Sequence, residues 1–256
     1  MSINERVLTI EGLKCYVHLP EKPNGFAILL LGDKHHFVHS TTSSWIQHPL
    51  RNQFLNRLID EGYTVFYCDP KHIHWGNDQV FHVVERLVKY VLTSEIINEK
   101  IHIFAEGIGA LIAFRLMTHQ FIQIRSIILY NPCIDLFQQY EEEKKNRFFY
   151  KRFIQEIKEA YRVEEKNVEK LCKEKSLILN DIPMYLPFRV FQVIYQAPYN
   201  PDIHIRSFIQ RRKDIQRELI TTFYMPGKTV EQFSSQMINF YRKHEKKLKM
   251  YNIRKR

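Results

Sequence analysis

The sequence predicts an α/β chain: a doubly wound, mostly parallel sheet with a helical insertion late in the chain. Three observations carry this. Short apolar runs alternate with helical-period segments along most of the 256 residues. Residues 100–116, KIHIFAEGIGALIAFRL, switch from a β-branched apolar run to helical spacing across Ala105, Gly107, Gly109 and Ala110. This is the pattern of a strand, a very tight turn and a helix. Residues 138–180 are rich in Glu, Lys, Tyr and Phe and contain no glycine, which suits inserted helices.

The elements follow in order. Arg6 to Ile10 and Leu13 to Leu19 are two strands joined at Glu11-Gly12, a hairpin signal. Phe26 to Leu31 is continuously apolar, as in a strand buried on both faces. Pro49 to Asp60 is a helix with Leu50, Phe54, Leu55 and Leu58 on one side, stopped at Gly62. Tyr63 to Cys68 is the next strand, ending at Asp69-Pro70. Asn77 or Asp78 caps a helix whose Val80, Phe81, Val84, Leu87, Val88 and Val91 form a broad apolar face. After the strand-turn-helix segment come a strand at Ser126 to Tyr130, the insertion, strands at Arg189 to Tyr195 and Leu219 to Met225, and a closing helix from Val230 to His244.

Composition narrows the function classes. Apolar residues make up 45% of the chain, ordinary for a globular domain, and no apolar run approaches the ~18 residues of a membrane span. The first residues lack the apolar centre of a signal peptide. Cys15, Cys68, Cys133 and Cys172 are scattered with no C-x-x-C pair. They fit reduced thiols, hence a cytoplasmic location, better than a disulfide frame. The formal net charge of +10 is uneven. Residues 242–256 hold eight basic residues against Glu245, a net of +7, and residues 206–217 hold five against Asp214, a net of +4. Such segments can meet an acidic protein, nucleic acid or an anionic membrane surface, although a solvated helix face and a frayed tail are the simpler explanation.

The five residues at the tight turn, Ala105-Glu106-Gly107-Ile108-Gly109, resemble the nucleophile elbow G-x-S-x-G of the α/β-hydrolase superfamily. The small positions match, while glycine stands where the nucleophile belongs. Placing Glu106 there instead would put Phe104 where a small residue is needed. The strand ending at Leu31-Gly32 resembles the family's His-Gly strand end, with the glycine kept and the histidine absent. The strand before Asp69 resembles another family strand. The resemblance covers about residues 6–136 and 187–244. It divides the chain into a core (1–136 and 187–247), a helical lid (137–186) and a basic tail (248–256).

The resemblance implies a Ser-His-acid triad, and all three positions are vacant. Gly107 holds the nucleophile position, Tyr199 the acid position, and Lys228 and Thr229 stand in the loop that supplies the histidine. What remains is a cleft with oxyanion-like groups: Gly32, Asp33, Glu106, Gly107, Ile108 and Gly109, whose backbone N–H groups suit a carboxylate or carbonyl oxygen. The leading expectation is therefore a non-hydrolytic protein that binds a small acyl or carboxylate ligand or a macromolecule. The alternative is an ester hydrolase rebuilt either on a metal or from loop residues, with Ser40, Ser43 or neighbouring Ser44 as nucleophile, His35 or His36 as base and Asp135 as acid. A third reading makes the chain an interaction protein docking through its basic segments. His35, His36, His39, His72 and His74 share the loops at one sheet edge, but their spacing is no zinc signature, so neither metal nor cofactor is expected.

Overall fold

A computed structural model describes residues 4–71, 73–119, 121–176, 186–214 and 219–245. Eight strands form one sheet in the order β1-β2-β4-β3-β5-β6-β7-β8. They are β1 Glu5–Ile10, β2 Leu13–His18, β3 Ala27–Leu31, β4 Thr64–Cys68, β5 Lys100–Glu106, β6 Gln123–Tyr130, β7 Phe188–Val193 and β8 Ile220–Tyr224. β1 pairs antiparallel with β2, and β2 antiparallel with β4. Every later pairing is parallel. β3 and β4 are buried over nearly their whole length, which is why they read as unbroken apolar runs.

Helices cover both faces. On one, α3 (Asp78–Ser94) and α4 (Gly109–Met117) join a core with Leu29, Leu31, Ile103 and Leu129 from the strands. Asn77 caps α3 by accepting from the Val80 N–H. On the other face, α2 (Pro49–Asp60) and α9 (Ser234–Lys243) bury Phe54, Leu55, Leu58, Met237, Ile238 and Tyr241 against Leu30, Phe104 and Ile128. A 3-10 turn, Val230–Phe233, precedes α9, so the closing helix is split rather than continuous. A short helix α1 (Ser44–Gln47), inside the loop of residues 37–48 that is rich in Ser, Thr and His, escapes a periodicity reading because it is only one turn long.

Between β6 and β7 the chain leaves the sheet as α5 (Leu136–Glu143), α6 (Arg147–Tyr161) and α7 (Val168–Ser176). These helices bury Leu136, Tyr140, Phe153, Ile154, Ile157, Val168 and Cys172 in a third core shared with Trp75, Ile108 and Tyr199. The insertion thus packs directly on the first residue after the β5–α4 turn. A last helix, α8 (Ser207–Asp214), lies between β7 and β8. The basic stretches 215–217 and 246–256 are outside the described residues.

Candidate functional site

The turn between β5 and α4 brings backbone groups together because its residues are small. Gly107 holds φ +52°, a conformation that costs an L residue about 1–2 kcal/mol and glycine little. A Cβ on Gly109 would lie 2.4 Å from the Leu31 carbonyl oxygen. Only glycine lets the start of α4 approach the end of β3 this closely. The Gly107 N–H donates to the Tyr130 carbonyl at 3.1 Å, and its own carbonyl accepts from Cys133 N–H at 3.0 Å. The turn is thereby locked to the end of β6.

Asp33, two residues beyond β3, fills the space above Gly107. A Cβ at Gly107 would sit 2.1 Å from the Asp33 Cγ and Oδ1 and 2.5 Å from Oδ2. Asp33 Oδ1 accepts from the Ile108 backbone N–H at 3.1 Å and from the Tyr199 hydroxyl at 2.6 Å. The N–H group at the helix start is therefore already bonded to a carboxylate from the protein's own chain. Tyr199 is buried, and burial together with the Asp33 carboxylate pushes its phenol well above the usual range. Its proton stays on to donate.

Beside this carboxylate lies a second charged group. Arg51, in the first turn of α2, binds Glu106 through two bonds, 2.6 Å from Nη1 and 2.9 Å from Nη2, the bidentate geometry that favours arginine over lysine. Burial raises the Glu106 carboxyl, but the Arg51 charge and hydrogen bonds overcome it and hold it down at about 2. His36 Nε2 lies 2.8 Å from Arg51 Nη1 and 3.3 Å from Glu106 Oε2, and Nδ1 lies 2.9 Å from Ser44 Oγ. Burial, with the Arg51 charge adding to it, lowers the His36 pKa and outweighs Glu106 and Asp33. We assign a neutral ring that accepts from Arg51 at Nε2 and donates from Nδ1 to Ser44. On this assignment the Glu106 contact is proximity and not a hydrogen bond. The ring lies against Gly32, where a Cβ would be 2.0 Å from it.

The insertion is fastened over this ground by Glu156 of α6. Its Oε2 accepts from Trp75 Nε1 at 3.0 Å and from Lys34 Nζ at 3.4 Å, and its Oε1 accepts from Arg152 Nε at 2.8 Å. The Lys34 ammonium stands 4.1 Å from the centre of the Trp75 ring. Trp75 itself sits at φ +42°, a strained conformation for a bulky residue. Tyr161 of α6 donates to its carbonyl at 2.7 Å, so the insertion holds it from both ends.

No family profile and no curated protein matches the sequence. Solved structures do match by shape. The Pyrococcus furiosus esterase Pf2001 aligns with a TM-score of 0.62 at 16% identity, over 94% of this chain and 91% of that one. Est1E from Butyrivibrio proteoclasticus gives 0.63 at 10% identity, over 94% and 98%. A puromycin-hydrolyzing peptidase of Mycobacterium tuberculosis gives 0.70 at 13% identity, but the chain spans only 40% of that protein. The chain has the α/β-hydrolase fold.

The tight turn between β5 and α4 carries Gly107, and the loop after β7 carries Tyr199 on Asp33. The loop after β8 carries Met225, Pro226, Gly227, exposed Lys228 and Thr229, the last bonded to Glu231. The alternative candidates disperse. Ser43 is buried, bonds the Tyr67 hydroxyl at 2.7 Å and caps α1 by accepting from Ile46 N–H. Asp135 caps α5 through the Phe137 and Gln138 N–H groups and accepts from Ser176. Ser40 and His35 are exposed. Only Ser44 and His36 of that group meet. His74 and His204 are buried structural residues bonded to Gly76 N–H and to Ile134 N–H and Gln139. His72 lies outside the described residues. Among the described residues, no group of three His, Cys, Asp or Glu is placed to hold a metal ion.

Residue periodicity missed Arg51, Lys34 and Glu156. Glu156 left a trace in the sequence: a charge inside the apolar stripe Phe153, Ile154, Ile157. Arg51 left none.

Proposed function

We propose that this chain is a binding protein that keeps the α/β-hydrolase fold and does not hydrolyse esters or amides through a Ser-His-acid triad. One observation carries the reading: the Asp33 carboxylate takes both the nucleophile's space and the Ile108 N–H. A tetrahedral oxyanion needs that N–H free, and a substrate carbonyl brought to it meets a fixed negative charge. The same contact weighs against a small acyl or carboxylate ligand at the elbow, because Asp33 already satisfies the group that would bind it. It favours a macromolecular partner held on the outside of the lid helices or by the basic segments. Four free thiols, three of them buried, support a reducing, cytoplasmic setting.

The test is a fluorophosphonate probe together with simple ester substrates. Neither labelling nor turnover is expected of the natural chain. The double variant Gly107→Ser with Asp33→Ala should stay inactive as well, since Lys228 and Thr229 bring no imidazole. A labelled serine that maps to this site overturns the reading.

A second reading has one observation behind it: Ser44 Oγ is 2.9 Å from His36 Nδ1, and Glu106 stands on the ring's far side. Ester turnover abolished by Ser44→Ala would establish a rebuilt hydrolase in its place. Against it, the Arg51 guanidinium donates to His36 Nε2, the ring nitrogen that faces Glu106, and occupies both Glu106 oxygens, leaving no carboxylate to orient the imidazole.

A further inference from the structure

The corner between α5 and α6 exposes apolar rings that the core does not use. Phe148 is 72% exposed and Phe149 52%, their centroids 5.8 Å apart and nearly edge to face. Both stand in the first turn of α6. The inward stripe of that helix is Phe153, Ile154 and Ile157. Phe149 shares their side but falls one turn before Phe153, past the end of the covered ground. Phe148 falls on the side of Arg152, toward solvent.

Exposed cations surround the two rings: Lys144, Lys145, Arg147, Lys151 and Arg152. Lys144 pairs with Glu141 and Glu169, Lys145 with Glu142, and Arg152 with Glu156. Arg147 and Lys151 have no ion pair among the described residues. Arg147 also stands at the start of α6, where the helix dipole disfavours a cation, and that first turn holds no acidic residue. Helix stability alone would choose the opposite sign. The corner therefore presents two projecting rings beside two exposed cations, Arg147 and Lys151, that form no ion pair among the described residues.

We infer that this corner docks on an anionic lipid leaflet, with Phe148 and Phe149 entering the acyl boundary and Arg147, Lys151 and their neighbours lying at the headgroups. The charges match an acidic surface of any kind. The rings decide between kinds: they project side by side from a convex helical corner, which suits a deformable apolar boundary more than a shaped protein pocket. No helix of the described residues is long and apolar enough to cross a membrane, so the attachment is peripheral. It does not depend on whether the elbow is catalytic.

The experiment uses the full chain in flotation with vesicles of phosphatidylcholine alone and of phosphatidylcholine with about 30% phosphatidylserine. Binding is expected only to the anionic vesicles, and F148A/F149A should weaken it about tenfold or more. The substitution F148W supplies a reporter against Trp45 and Trp75, which are 1% and 0% exposed. Its emission should shift to the blue on binding and be quenched by brominated acyl chains, a signal that the basic tail cannot produce. Circular dichroism of each variant confirms its fold. Undiminished binding by F148A/F149A, or an indole at position 148 that keeps its aqueous emission, overturns the inference. So does association with polyglutamate but not with vesicles.

Discussion

The fit of Asp33 against Gly107 sets a stability test whose size follows from the geometry. In Gly107→Ala the new methyl must hold φ +52°, which costs about 1–2 kcal/mol. It would also stand 2.1 Å from the Asp33 carboxylate, far inside contact distance, so the carboxylate must leave. Leaving breaks the bonds from Ile108 N–H and the Tyr199 hydroxyl, each worth about 1.5–3 kcal/mol because the acceptor is charged. The total is roughly 4–8 kcal/mol, a large part of the 5–15 kcal/mol typical of a whole domain. In an Asp33→Ala background those bonds are already gone, and Gly107→Ala should then cost only about 1–2 kcal/mol. A double-mutant cycle read by urea unfolding, with Trp45 and Trp75 as fluorescent probes, should show about 3 kcal/mol or more of coupling. Equal costs for Gly107→Ala in both backgrounds would refute the claim that Asp33 fills the elbow.

Two further outcomes test the charges around it. Glu106→Gln leaves the Arg51 guanidinium without its counter-charge. Arg51 keeps 25% side-chain exposure, so the cost should fall below the range for a fully buried pair, at about 2–3 kcal/mol. Because Glu106 is held at about 2, its contribution is complete at neutral pH and is lost as pH falls from about 4.5 toward 2; the Gln variant should lack that part of the acid limb in urea midpoints. Burial also lowers the buried histidines His18, His74 and His204 to about 4. Between about 6.5 and 4 the unfolded chain binds more protons than the folded one, so stability falls as pH falls. At pH 5.5 each should have cost about 1.4 kcal/mol relative to pH 7.5, roughly 4 kcal/mol together. Equal urea midpoints at the two pH values would show that these rings are not held neutral.

The fold was legible because sheet burial writes itself into the sequence. β3, β4 and β5 are buried on both faces; Gly109 sits where backbones meet, and Gly32 and Gly107 make room for the His36 ring and the Asp33 carboxylate. Leu31-Gly32 and Ala105-Glu106-Gly107-Ile108-Gly109 were thus enough to fix strand, turn and helix. The site was legible as a list of positions and not as contacts. Gly32, Asp33, Glu106, Gly107, Ile108 and Gly109 do come together, yet no spacing says that Asp33 points inward onto Ile108 N–H. That depends on the conformation of the loop after β3, in which His36 N–H donates to the Asp33 carbonyl at 3.0 Å and its ring lies against Gly32. Arg51 was invisible for a related reason. It occupies the first turn of an amphipathic helix, where a basic residue normally faces water, and only the fold brings it beside Glu106, 55 positions later. Ser43 and Asp135 drew attention as possible reactive groups, and both turn out to hold helix ends, the common use of Ser and Asp just before an apolar stretch.

Gly107 and Tyr199 are linked through Asp33. Gly107 has no side chain, and that is what admits the Asp33 carboxylate. The half-buried carboxylate needs donors, and Ile108 N–H and Tyr199 supply them, the latter from the position where the resemblance places an acid. An aspartate at 199 would face Asp33 charge against charge within hydrogen-bond distance, which buried carboxylates avoid by holding a proton. A serine at 107 would collide with Asp33. Each residue is therefore suited to the other two, and a single substitution at 33, 107 or 199 meets neighbours fitted to the residue it removes. On the proposed reading, the step back to catalysis requires 33, 107 and 199 to change together, with a histidine in the 225–229 loop besides. This is a stronger barrier than the missing serine alone.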